Sequence, residues 1–358
     1  MGDAFGEPVL GLNEILECID KAKTDDKVDG IYLELDNIQA NMATLDEIRN
    51  AIIAFKESEK FVIAYGTSYE QRAYYLATVA DKIYMNPEGV ALITGLRAQL
   101  LFISETMNKL GVEPQIIRHG KFKSAIEPLV NVKMSDENRQ QIQAYMGLMW
   151  EYMVKNISAS RGISPEQFNY LADSLLMWDP KNAIDNKLMD SLIYKDELIE
   201  ILKNRTNVDD EPNVVPISDY IKVPRERKGK GLIKQKIAVI YATGTIQQGE
   251  EYEENIGANK ISRTIREARK DSSIKAIVFR VNSGGGSALA SEIIWREIDL
   301  TRKVKPVIAS LGDVAASGGY YIVAPSDHIV DNPLTLTGSI GVFPYSSMQK
   351  NSSTTNWV

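Results

Sequence analysis

Tyr74-Tyr75-Leu76-Ala77-Thr78-Val79-Ala80-Asp81-Lys82-Ile83-Tyr84-Met85-Asn86-Pro87 returns 246 residues later as Tyr320-Tyr321-Ile322-Val323-Ala324-Pro325-Ser326-Asp327-His328-Ile329-Val330-Asp331-Asn332-Pro333. Each stretch reads as the end of a helix, a short turn and a strand. Two unrelated α/β units share a hydrophobic period, but they do not share a tyrosine pair, an aspartate and an Asn-Pro in register. The stretch therefore marks a duplicated domain.

The same offset holds upstream, where Ile15, Ile19, Ala22, Asp25, Val28 and Ile31 pair with Ile261, Ile265, Ala268, Asp271, Ile274 and Ile277. Around these anchors each copy alternates. In the first, helical spacing at Leu12 to Ala22 and over Ala43–Phe55 and Gln71–Val79 is separated by strand-like Gly30–Leu35, Phe61–Tyr65 and Lys82–Met85. In the second, strands at Lys236–Ala242, Ile274–Val281 and Pro306–Ser310 enclose helices at Ala258–Lys270 and Leu289–Arg302. Such alternation predicts α/β domains with largely parallel sheets and covering helices.

Between the repeats lie a strand at Pro114–His119 and a long helix over Ser135–Ser160. Its stripe of Ile142, Met146, Met149, Met153 and Ile157 reads as core packing. Ser164-Pro165-Glu166-Gln167 is a capping box that opens another helix, and Lys195–Asn204 gives one more. The expected organisation is a first repeat over 1–204, a linker over 205–235 without sustained period, and a second repeat over 236–358. Both copies read as incomplete. Lys236–Ala242 has no counterpart after Met1, the second copy lacks what matches Glu113–Asn204, and the polar 352–356 replaces the apolar 100–103.

Composition narrows the chemistry. The 358 residues are 44% hydrophobic and 25% charged, which excludes a disordered or collagen-like chain. One cysteine, Cys18, and two histidines exclude an intrachain disulfide and a Cys/His zinc cage, and no metal or cofactor is expected. A net charge of −7 argues against a general nucleic-acid binder. No apolar run reaches the ~18 residues of a membrane span, and the first residues lack a signal-sequence pattern, so the chain reads as soluble as given. The basic run from Lys222 to Lys236 reads as a solvated loop, with contact to anionic lipid headgroups as the alternative.

Chemistry is expected where the copies differ. Asn282-Ser283-Gly284-Gly285-Gly286-Ser287 stands between a strand and a helix, and is either a plain strand-to-helix turn or a loop whose glycines let backbone N–H groups converge on an anion. Asp313-Val314-Ala315-Ala316-Ser317-Gly318-Gly319-Tyr320 sets a serine among small residues at a helix start. There Ser317 is either a helix cap or a nucleophile with the Gly318 N–H beside it. At these positions the first copy has Gln71 and Asp36-Asn37-Ile38-Gln39. A nucleophilic serine needs a base. His328 reads as structural, His119 is the other histidine, and Lys121 and Lys123 follow a strand. An ordinary lysine titrates near ~10.4, so it serves as a base only when burial lowers that value. Alternation turns one of the two inward and favours Lys123 over Lys121, although from spacing alone both read as surface lysines.

Four motifs in this order resemble the signal peptide peptidase A family in its long, tandem-duplicated form. They are 120–128 with Gly-Lys-Phe-Lys-Ser-Ala-Ile-Glu-Pro, 280–287, 312–321 and 335–343. The resemblance implies a fold related to Clp protease and crotonase, and a serine endopeptidase acting on released signal peptides and other small hydrophobic peptides. It implies Ser317 as nucleophile, Lys123 as general base, Ser339 as the serine that orients the lysine, and Gly285 and Gly318 as oxyanion donors. Gly284 stands where the family usually has proline. The family also implies a homo-oligomer, a tetramer by resemblance, and a bacterial inner-membrane protein facing the periplasm through an N-terminal anchor not seen in this chain. An acyl-CoA hydratase or isomerase of the crotonase class, and a catalytically inert scaffold, are the alternatives.

Overall fold

A computed structural model describes residues 10–36, 38–117, 120–225, 235–250 and 255–349. The chain packs as two compact units, Met1–Gly95 with Trp150–Gly231 and Leu96–Met149 with Leu232–Val358. The segment carrying Lys123, which precedes the second repeat in sequence, thus packs in the same unit as Ser317.

The first unit is built on a parallel sheet in the order Gly30–Glu34, Phe61–Gly66, Lys82–Met85, Ser191–Leu192. Helices Leu12–Thr24, Met42–Lys56 and Gln71–Ala77 alternate with its strands, as the sequence pattern predicts. Lys195–Thr206 packs Leu198 and Leu202 against Ile63, Tyr65 and Tyr84 of that sheet. Ser164 caps the helix Pro165–Asp173 by accepting from the Gln167 N–H at 3.1 Å. Within the segment expected as a linker, Ile217–Tyr220 forms a short helix. Buried Lys21 donates to the carbonyls of Tyr220, the last residue of that helix, and of Val223 beyond it. Met153 and Ile157 of the methionine stripe are fully buried, whereas Ile142, Met146 and Met149 are half-buried.

The second unit holds the parallel sheet His328–Val330, Val307–Ala316, Ile274–Ser283, Lys236–Thr243, with Leu336–Gly338 joining the far end of Val307–Ala316. Helix Ala258–Lys270 buries Ala258, Ile261, Ile265 and Ala268 at helical spacing and leaves Lys260, Arg263, Arg266 and Lys270 exposed, while Arg269 pairs with the buried Glu297 at 3.0 Å. On Ile274–Ser283 the residues Ile277, Phe279, Val281 and Ser283 alternate into the core beneath that helix and Ala288–Arg302. Removing Phe279 to alanine would cost about 3–5 kcal/mol by the usual scale for a buried ring. In the same unit Val112–Ile116 pairs antiparallel with Tyr345–Gln349, Ile116 opposite Tyr345. That ladder ties the stretch leading to Lys123 to the stretch following Ser339. The expected strand at Pro114–His119 thus starts earlier, at Val112, and His119 lies outside the described residues, as do 226–234 of the basic run and the polar tail.

The duplicated aspartate explains why the repeat keeps its polar identities. Asp81 donates its N–H to the Val62 carbonyl and accepts from the Val62 N–H, both at 2.8 Å. Asp327 does the same with Val307, at 2.9 and 2.8 Å. In each copy a carboxylate satisfies an N–H at the start of the neighbouring strand and fixes its register. Asp36 and Asn282 match in the same way. Each side chain accepts from a backbone N–H, of Thr67 at 2.8 Å and of Val314 at 3.0 Å, where the adjacent strand leaves the ladder.

Candidate active site

Ser317 stands at the junction between the strand Val307–Ala316 and the helix Gly318–Val323, with φ 53° and ψ −116°. The positive φ is disfavoured for a side chain, and the ψ value lies far from the ordinary left-handed well. Strain of this kind costs on the order of 1–3 kcal/mol and persists only where neighbours hold it. Here the Ser317 N–H donates to the Gly338 carbonyl and its own carbonyl accepts from the Tyr321 N–H, both at 2.9 Å. Although Ser317 occupies the N-cap position, its hydroxyl makes no capping bond.

Lys123 meets that hydroxyl. Its Nζ lies 2.9 Å from Ser317 Oγ, 3.0 Å from Ser339 Oγ and 2.5 Å from the Ser339 carbonyl oxygen. The residue is only 4% exposed, and among the described residues its polar partners are two hydroxyls and a carbonyl, with no carboxylate. Burial pushes its pKa below the ordinary lysine value. Ser339 also has positive φ, 48°, so both serines that meet the lysine sit on unusual backbone. Lys121, two residues earlier, is exposed and faces Glu137 at 3.6 Å. His328 is an exposed residue of an edge strand.

The glycine loop abuts the same corner. A Cβ on Gly285, whose φ is +99°, would stand 2.5 Å from the Gly318 nitrogen and 3.0 Å from Ser317 Cβ, so only glycine fits there. The Gly285 N–H donates to Ser283 Oγ at 3.1 Å, and that hydroxyl donates to the Gly244 carbonyl at 2.6 Å. Gly318 opens its helix, where an N–H has no intrahelical acceptor. Sequence reasoning gave Ser283 no role. Its signal was a serine two residues before the glycine whose N–H it accepts, a local turn pattern. Glu127 was likewise passed over, although a carboxylate inside the apolar run Ala125-Ile126-Glu127-Pro128-Leu129-Val130 is itself unusual. Among the described residues no group of three or more His, Cys, Asp or Glu is placed to hold a metal ion.

The pieces define an α/β protein with a serine on a strained strand-to-helix turn, a buried lysine against its hydroxyl and backbone amides alongside. The family model described as peptidase family S49 matches residues 54–209 and 299–353, more than half of the chain, and the chain belongs to that family. Protease 4 of Haemophilus influenzae is 38% identical over 92% of this chain and 55% of its own length. The chloroplastic serine protease SPPA of Arabidopsis thaliana is 34% identical over 93% of this chain and 50% of its own. The chain thus spans about half the length of these relatives. Among solved structures, ClpP1 from Listeria monocytogenes aligns with 25% of this chain and 46% of its own at 23% identity, with a TM-score of 0.21. The fold class rests instead on the parallel sheets themselves. Among the described residues no helix is long and apolar enough to cross a membrane.

Proposed function

We propose that the chain is a serine endopeptidase working through a Ser317–Lys123 dyad. The observation that carries this reading is the 2.9 Å contact between a buried lysine, which has no carboxylate partner among the described residues, and a hydroxyl that makes no capping bond. Neutral Lys123 takes the Ser317 proton as Oγ attacks a peptide carbonyl. Negative charge then develops on the carbonyl oxygen, where the Gly318 and Gly285 amides donate to it. To do so, the Gly285 N–H turns from Ser283 Oγ, which keeps its bond to Gly244. The ammonium of Lys123 returns the proton to the leaving amine, and water, deprotonated by the same lysine, releases the acyl group. Ser339 holds Nζ toward Ser317 through its hydroxyl and carbonyl.

Family membership supports released signal peptides and other small hydrophobic peptides as substrates, at a bacterial inner membrane and facing the periplasm. It also supports assembly into a homo-oligomer, a tetramer by resemblance. We read the repeat organisation as a first copy that supplies the lysine and a second that supplies the serine, joined over 205–235. A hydratase of the crotonase class has no use for a buried lysine on a serine hydroxyl. Hydrolysis of an apolar peptide, followed in the protein and in Lys123→Ala, tests the proposal. Loss of turnover in the variant is expected, and full turnover would overturn it.

A further inference from the structure

Four residues after Lys123, Glu127 is completely buried. Its Oε1 accepts the Ser135 hydroxyl at 2.5 Å, and its Oε2 accepts the Ser135 N–H at 3.2 Å and Asn138 Nδ2 at 3.0 Å. Ser135 is at the same time the cap of the 26-residue helix Asp136–Arg161, its hydroxyl accepting the Asn138 N–H at 3.1 Å. The carboxylate therefore sits at a helix N-terminus, where backbone dipoles favour negative charge. Burying a carboxylate costs several kcal/mol unless such partners compensate, so this is a built arrangement. Lys123 immediately precedes a short 3₁₀ turn, Ser124–Ile126, whose Ile126 is buried and which leads directly into Glu127. Between Lys123 and the long helix, Glu127 is the charged anchor.

We infer that Glu127 is a positioning residue for Lys123: by clamping the 123–127 turn to the start of the helix Asp136–Arg161, it holds Nζ within reach of Ser317 Oγ. The inference rests on the reading of Lys123 as general base. Glu127 touches neither substrate nor the reacting atoms, and the lysine's basicity is depressed by burial. A loosened turn lets water reach Nζ, so the lysine regains basicity and stays protonated to higher pH.

The test is peptide hydrolysis against pH by the protein and by Glu127→Ala, Glu127→Gln, Ser135→Ala and Asn138→Ala, with Tm measured for each. Misplacement of a catalytic group by about 1 Å costs on the order of 100-fold. Glu127→Ala is expected to lower kcat by about 10- to 100-fold with KM nearly unchanged, and to move the acid limb of kcat to higher pH. Glu127→Gln, which keeps an acceptor for Ser135, should recover most of the loss. Should Glu127→Ala fail to fold, Ser135→Ala and Asn138→Ala each remove one donor and are expected to shift the limb in the same direction. An unmoved limb in the folded variants, or a loss that tracks only the unfolded fraction, would overturn the inference while leaving the dyad standing. Activity in Lys123→Ala, by contrast, would overturn the dyad itself.

Discussion

The two repeats carry the same corner and put it to different use. In the first, the strand Phe61–Gly66 runs to a helix beginning at Gln71, and the Gln71 side chain accepts the Gly95 N–H at 3.1 Å. In the second, the strand Val307–Ala316 runs to Ser317, on strained backbone with its hydroxyl against Lys123. The scaffold around them is shared down to the aspartate clip of Asp81 and Asp327 and the paired Asp36 and Asn282. On the proposed mechanism, reactivity needs few residues, a serine, a glycine loop and an incoming lysine, on a frame whose stability is set elsewhere.

The comparison breaks most completely if the reacting pair is removed. Ser317→Ala and Lys123→Ala should each lower kcat on the order of 10,000-fold or more, and the double variant should be no worse, because the pair acts as a unit. Gly285→Ala comes next. Its Cβ has no room beside Gly318, and loss of one oxyanion donor predicts a fall of about 100- to 1,000-fold in kcat with KM little changed. Ser339→Ala leaves the lysine with one hydroxyl fewer and should lower kcat by about 10- to 100-fold, measured on the same peptide.

The shared frame predicts matched stability effects. Asp81→Ala and Asp327→Ala each leave a strand N–H without its acceptor and should destabilise by about 1–3 kcal/mol, read from denaturant midpoints, despite lying in different copies. Lys123→Met sharpens the account at small amplitude. Because burial lowers the folded-state pKa of the lysine below its unfolded value, the unfolded chain binds more protons between the two values. Wild-type stability from this group therefore rises with pH across that window. The stability of Lys123→Met relative to wild type should fall as pH climbs toward ~10.4.

How much of this the sequence disclosed follows from which interactions are local. Periodicity and the 246-residue offset exposed the alternation, and Ala258–Lys270 and Lys82–Met85 form over the residues expected. A serine among small residues, present in one copy and replaced by Gln71 in the other, singled out 317. The antiparallel pairing of Val112–Ile116 with Tyr345–Gln349 was not legible, since its partners are more than 200 residues apart and no local pattern links them. For the same reason, the packing of 96–149 with the second sheet emerges only in three dimensions. Glu127 was hidden because burial of a carboxylate depends on Ser135 and Asn138 reaching it, which spacing does not reveal.

The central claim is that Lys123 sets the reactivity of Ser317, and the rate of Ser317 labelling by a fluorophosphonate probe across the neutral to alkaline range tests it most directly. The account predicts labelling confined to Ser317 that rises with pH to a plateau, with a midpoint below the ordinary lysine value of ~10.4. In Lys123→Ala it predicts a flat, far slower profile. Equal labelling rates with and without Lys123 would contradict it.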